Sequence, residues 1–121
     1  MVPRPFRIAP FGLACLAIAW LSLAPAQAMP GATLGDKFEH AGAYMVLTLL
    51  GAWAFPQRLT RLAAGLFAFG VGVEILQSMM GLGRQGDPAD ALANTVGIAG
   101  GLLATLAIRE LIRVKSPAGG E

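Results

Sequence analysis

A chain of 121 residues that is 55% apolar and 13% charged, with a mean hydropathy of +0.63, departs from the composition of water-soluble domains, where about 45–50% apolar and 25% charged residues are usual. Its net charge of +2 is small and its nine Lys/Arg are not interleaved with aromatics, which excludes a nucleic-acid partner on compositional grounds. The single cysteine, Cys15, sits in an apolar run, so no intrachain disulfide can form and the thiol reads as a small packing group.

Charges divide the chain into apolar segments. None occurs between Arg7 and Asp36, and residues 8–26 supply the ~20 apolar positions that a bilayer-crossing helix needs. The same stretch also has the layout of a secretory signal peptide, with Arg4 and Arg7, an apolar core and Ala26-Gln27-Ala28 before Met29. Whether residues 1–28 are cleaved stays open on this ground, and either way the chain emerges on the same side before Asp36. A second uncharged run, about 40–56, reaches spanning length when Glu39 and His40 lie at the interface. The third, about 62–82, contains one charge, Glu74, and the fourth, about 91–108, contains none. The connections are short, so neighbouring helices are antiparallel. The predicted fold is all-α: an integral membrane bundle of four transmembrane helices forming a single domain over residues 1–115, with a flexible C-terminal tail at 116–121.

Positive charge orients this multi-pass bundle. With a cytoplasmic N-terminus, Arg4, Arg7, Arg58, Arg61, Arg109, Arg113 and Lys115 lie inside and only Lys37 and Arg84 outside, the bias that cytoplasmic loops carry. Both termini are then cytoplasmic. The residues capable of chemistry gather on the opposite side: Asp36, Lys37, Glu39 and His40 at the outer start of span two, Glu74 and Gln77 in the outer half of span three, and Arg84, Asp87, Asp90 and Asn94 around the outer start of span four.

Helical spacing gives these residues common faces. Lys37, His40 and Tyr44 follow i, i+3 and i+7, with Asp36 four residues before His40. Glu74 and Gln77 share a face with Gly70, and Asp90, Asn94, Gly97 and Gly101 form one stripe. Gly97-x-x-x-Gly101 is a pattern that lets helix backbones approach closely, and Ala64, Ala68 and Gly72 offer a second such row. Asp87-Pro88 reads as a helix cap followed by its first turn. An ionisable group inside a bilayer is costly and normally partnered, so Glu74 is the leading candidate for a buried role. His40 beside acids suits proton binding or transfer. One histidine with scattered carboxylates and no second His or Cys pair does not make a metal site by spacing, so neither metal nor cofactor is expected. No phosphate-binding loop, nucleophile elbow or dinucleotide fingerprint is present.

Taken together, Asp36-Lys37-x-x-His40-x-x-x-Tyr44, Glu74-x-x-Gln77 and Arg84-x-x-Asp87-x-x-Asp90-x-x-x-Asn94-x-x-Gly97-x-x-x-Gly101 resemble the motif series of VanZ-like membrane proteins over residues 20–105. The chain departs from that pattern at Glu39, where an apolar residue is more usual, and at the small Ala41-Gly42. The resemblance implies a protein of the bacterial cell envelope, placed in the cytoplasmic (inner) membrane. The family's namesake is associated with low-level resistance to the glycopeptide teicoplanin, and most members have no established biochemical activity. Two readings follow. In the first, the protein binds a lipid, a lipid-linked cell-wall precursor or a lipophilic glycopeptide, with Lys37 and Arg84 meeting its head group, either alone or as a homo-oligomer. In the second, it is a small intramembrane enzyme acting on a lipid head group, with Glu74 or His40 as acid/base.

Overall fold

The computed structural model describes residues 1–24, 34–81 and 86–116, with Leu34 and Gly35 as backbone only. It is all-helical. The four helices are α1 (Arg4–Leu23), α2 (Leu34–Ala54), α3 (Leu59–Met80) and α4 (Pro88–Lys115). By length and composition α1, α3 and α4 can each cross a membrane. The Ala26-Gln27-Ala28 segment, Arg84 and the tail beyond Ser116 lie outside the described residues.

Local chemistry sets the helix ends. Pro5 stands in the first turn of α1, where a missing N–H costs nothing, and α1 stops at Ala24, whose extended backbone suits a residue preceding proline. Pro56 stands just beyond the end of α2, and the turn between α2 and α3 is closed by Phe55 N–H to Gly51 O at 2.7 Å and Arg58 N–H to Phe55 O at 3.0 Å. Gly81 ends α3 with φ +64°, the left-handed cap that glycine adopts without a Cβ clash. At α4 the Asp87 carboxylate accepts from Ala89 N–H at 2.9 Å, with Pro88 in the first turn. Helix α4 runs past the apolar segment, carrying Arg109, Glu110, Arg113 and Lys115 on its last turns.

The core is built around α2, whose most extensive partner is α4. Tyr44, Leu47 and Thr48 are completely enclosed, and Ala52, Leu62, Leu66 and Ile98 complete the central cluster. Close approach comes from glycine. A Cβ at Gly97 would collide with the Ala41 carbonyl, and one at Gly101 would sit 2.9 Å from Thr48 Cγ2 and 3.0 Å from the Met45 carbonyl oxygen. The row Ala64, Ala68 and Gly72 does not serve this purpose. Ala64 and Ala68 are exposed, and a Cβ at Gly72 would meet nothing within 4 Å, because α3 turns Leu62, Leu66, Gly70 and Val73 inward instead.

Helix α1 is peripheral. It has no fully buried residue, and it leans on the core through Phe11, Ala14, Cys15 and Ile18, with Phe11 edge-on to Phe55 at 5.8 Å. Arg7 donates to the Trp53 carbonyl at 3.1 Å and Arg109 to the Pro56 carbonyl at 2.9 Å, so the end of α2 is satisfied by arginines from α1 and α4. Leu13, Leu16, Trp20, Phe67, Ile75, Leu92, Val96 and Leu103 all face outward. Apolar helices that present large apolar side chains outward describe a membrane-embedded bundle, since the surrounding lipid accepts that surface.

Candidate functional site

Asp36 and Lys37 lie in the first turn of α2 and His40 in the second, while Asp87, Asp90 and Asn94 occupy the cap and first two turns of the neighbouring α4. Because α2 and α4 pack through Gly97 and Gly101, these polar turns are brought face to face. Lys37 Nζ donates to Asp87 Oδ2 at 2.8 Å and also to Asp90 Oδ1. Asp87 then serves three partners: its other oxygen caps α4, and its backbone N–H donates to Glu74 Oε2 at 3.0 Å. The Lys37 ammonium, followed by the Ala89 N–H, holds the Asp87 carboxyl below its usual range. Asp87 and then Asp90 hold Lys37 protonated well beyond the ordinary lysine range.

His40 is fixed by α4. Its Nδ1 lies 3.1 Å from Asn94 Oδ1, within hydrogen-bonding distance. The opposite nitrogen, Nε2, faces Asp36 Oδ1 at 3.9 Å and Asp90 Oδ2 at 3.8 Å. Asp90 is 8% exposed and Asn94 4%, so these two are buried, while the Asp87 side chain stays accessible. Tyr44 lies one turn deeper, 2% exposed, with its ring tilted against Phe69. Gly70 leaves room for it: a Cβ there would stand 3.0 Å from Asn94 Nδ2 and 3.2 Å from the Tyr44 hydroxyl.

Two candidate residues on α3 have different roles. Glu74 joins the cluster through Asp87 and fastens the start of α4 to α3. Gln77 points the other way, donating to the Ser22 carbonyl near the end of α1. Sequence spacing put Glu74 and Gln77 on one face but could not show that the face divides between two neighbouring helices. The sequence carries no distinct signal for Ser78, although it lies one turn beyond Glu74. Its hydroxyl donates to the Glu74 carbonyl at 3.1 Å and accepts from Gly86 N–H at 2.9 Å. Gly86 is needed there, since a Cβ would press to 2.7 Å from the Glu74 carbonyl oxygen.

Beside the cluster lies a cleft of about 140 Å³ between α1 and α2, with Ile18, Leu21 and Ala43 on its apolar wall and Ser22, Asp36, Glu39, His40 and Tyr44 on its polar side. It joins an apolar surface to an imidazole and carboxylates. The expectation that Lys37 meets an anionic head group does not fit this geometry directly, because that ammonium already serves two carboxylates. Asp36, His40 and Asp90 each offer one ligand atom, and all three atoms lie within 4.8 Å of one another. No family model, curated protein or solved structure matches the chain.

Proposed function

We propose that this chain is a VanZ-like protein of the bacterial cytoplasmic membrane that binds an amphipathic molecule, a lipid or lipid-linked cell-wall precursor, at the outward-facing polar end of its bundle. In this reading α2 crosses the membrane with the other three helices and both termini are cytoplasmic. The seven-to-two distribution of Lys/Arg supports that orientation. The membership rests on the three motifs, and a resistance role for a lipophilic glycopeptide rests on the resemblance alone.

The observation that carries the binding reading is the α1–α2 cleft, whose apolar wall continues into His40 and Asp36. Small-molecule sites combine a mostly apolar concavity with a few converging polar groups, and the cleft has both. Native mass spectrometry of the detergent-purified chain, offered a bacterial lipid extract, tests it. Wild type should retain lipid, and Ala43→Phe, which fills the cleft from its wall, should lose it without a change in melting temperature. Equal retention by the two proteins overturns the reading.

One observation favours the enzymatic alternative over simple binding. His40 lines the same cleft and has two carboxylates beside its Nε2, a setting that suits a general base or acid. Glu74 is the weaker acid/base candidate, since its Oε2 is occupied by the Asp87 N–H. Turnover of a lipid-linked diphosphate by purified protein, abolished in His40→Gln, would distinguish catalysis from binding.

A further inference from the structure

We infer that Asp36, His40 and Asp90 form a binding site for a divalent transition-metal ion, with its open coordination positions turned toward the α1–α2 cleft. The inference starts from the orientation of the ring. Asn94 Oδ1 engages His40 Nδ1, and the opposite nitrogen, Nε2, faces Asp36 Oδ1 and Asp90 Oδ2 at 3.9 and 3.8 Å. These three potential ligand atoms converge on one point, where a cation would be held from three sides. Lys37 does not fill that role. Its ammonium serves Asp87 and the other oxygen of Asp90.

Charge and distance agree with this assignment. Among the described residues the cluster gathers four acidic side chains, Asp36, Glu74, Asp87 and Asp90, around the single ammonium of Lys37, a setting that favours cation binding. With all three ligand atoms inside 4.8 Å, a point equidistant from them lies no more than about 2.5 Å from each. A few tenths of an ångström of side-chain movement then reaches the ~2.0–2.2 Å of a nitrogen–oxygen zinc site. The Asn94 bond to Nδ1 is the outer contact that orients a metal-ligating histidine and raises its basicity.

One imidazole and two carboxylates suit Zn²⁺ or Mn²⁺ better than Mg²⁺ or Ca²⁺, which favour oxygen-only sets. Sequence spacing argued against a metal because Asp36 and His40, four apart on α2, offer one histidine with no second His or Cys pair. The set assembles only when the first two turns of α2 meet the first turn of α4. Asp36 and His40 also line the cleft, so an ion held by three protein ligands keeps positions open on that side. This part rests on the binding reading: the phosphate of an amphipathic ligand would complete the coordination, and an acidic site would hold an anionic head group through the ion.

The test is titration of the full-length chain, stripped with EDTA in detergent and free of added lipid, with Zn²⁺ alone, Mn²⁺ alone and Mg²⁺ alone, followed by calorimetry. One equivalent of Zn²⁺ or Mn²⁺ should bind, more tightly than Mg²⁺. His40→Ala and Asp36→Asn should each weaken binding roughly tenfold or more, and Asn94→Leu by about 10–100-fold. Asp36→Asn keeps the side-chain shape at a half-exposed position, so it decides the matter should His40→Ala fail to fold. Absence of saturable binding, the outcome expected where His40 is simply an imidazolium paired with Asp36 and Asp90, overturns the proposal. Binding unchanged in Asp36→Asn overturns it equally. Because no lipid is present, failure here leaves the Ala43→Phe lipid result standing, and failure there leaves this one.

Discussion

Replacing Gly97 by alanine probes the contact that brings the polar turns together. The added Cβ would strike the Ala41 carbonyl group, whose carbon lies 2.9 Å from the methyl position and whose Cα lies 3.1 Å away. Both are backbone atoms, so no side-chain rotation relieves the clash and α2 must move away from α4. Overpacking of this kind costs about 1–3 kcal/mol. The control is Gly65→Ala on α3, where a Cβ meets nothing within 4 Å and alanine's better helix propensity contributes up to about 1 kcal/mol of stability. Both substitutions gain the same helix propensity, so it cancels and their difference, about 1–3 kcal/mol, isolates the α2–α4 contact. Reversible unfolding in mixed detergent micelles measures it. Should Gly97→Ala prove as stable as Gly65→Ala, α2 and α4 do not pack through this glycine, and the juxtaposition of His40 with Asn94 loses its support.

Other perturbations address the polar end. Glu74→Leu removes the acceptor for the Asp87 N–H and should destabilise by about 1–3 kcal/mol, whereas Glu74→Gln keeps a carbonyl acceptor and should cost less; equal losses in the two variants, measured by the same unfolding assay, would contradict the structural role. Because Lys37 lowers the Asp87 pKa, Asp87 contributes stability that is present above the ordinary aspartate value of about 4 and lost as pH falls through its lower folded value. Lys37→Met should therefore flatten the acid limb of a melting-temperature profile, and an unchanged limb would refute the pairing. An alkaline phosphatase reporter joined after Gly83 should be active and one joined after Gln57 or at the C-terminus silent; activity at Gln57 would reverse the orientation.

Much of the arrangement was legible as helical faces. Helix propensity and the charge gaps mark the apolar segments, and the i, i+3, i+4 spacing puts Asp36, Lys37, His40 and Tyr44 on one side of α2 and Asp90, Asn94, Gly97 and Gly101 on one side of α4. What spacing cannot supply is the partner of each face. Lys37 reads as readily as a ligand for an outside anion as it does as the ammonium for Asp87 and Asp90, and only the register between α2 and α4 decides. Gln77 shares a face with Glu74, yet a difference of three residues along α3 is enough to carry it from α4 to α1. Gly70 was legible as part of that face, while its function, leaving room for Tyr44 and Asn94, depends on two side chains from other helices.

The depth of the cluster follows from helix arithmetic. On the proposed topology the arginine end of the bundle is one reference plane, marked by Ala54 on α2, Leu59 on α3 and Arg109 on α4. Measured from there at ~1.5 Å per residue, His40, Glu74 and Asn94 all lie about 21–23 Å up their helices. Three residues at one height are what side-by-side helices need to form a single network, and the Glu74–Asp87 and His40–Asn94 bonds are its cross-links. That height is less than the ~30 Å of a bilayer's hydrocarbon core. On that topology Asp36 and Asp90 stand about 27–29 Å up their helices with His40 just below them, so the three proposed ligands reach from within the hydrocarbon core toward its outer edge, the side from which an ion or a lipid phosphate would approach.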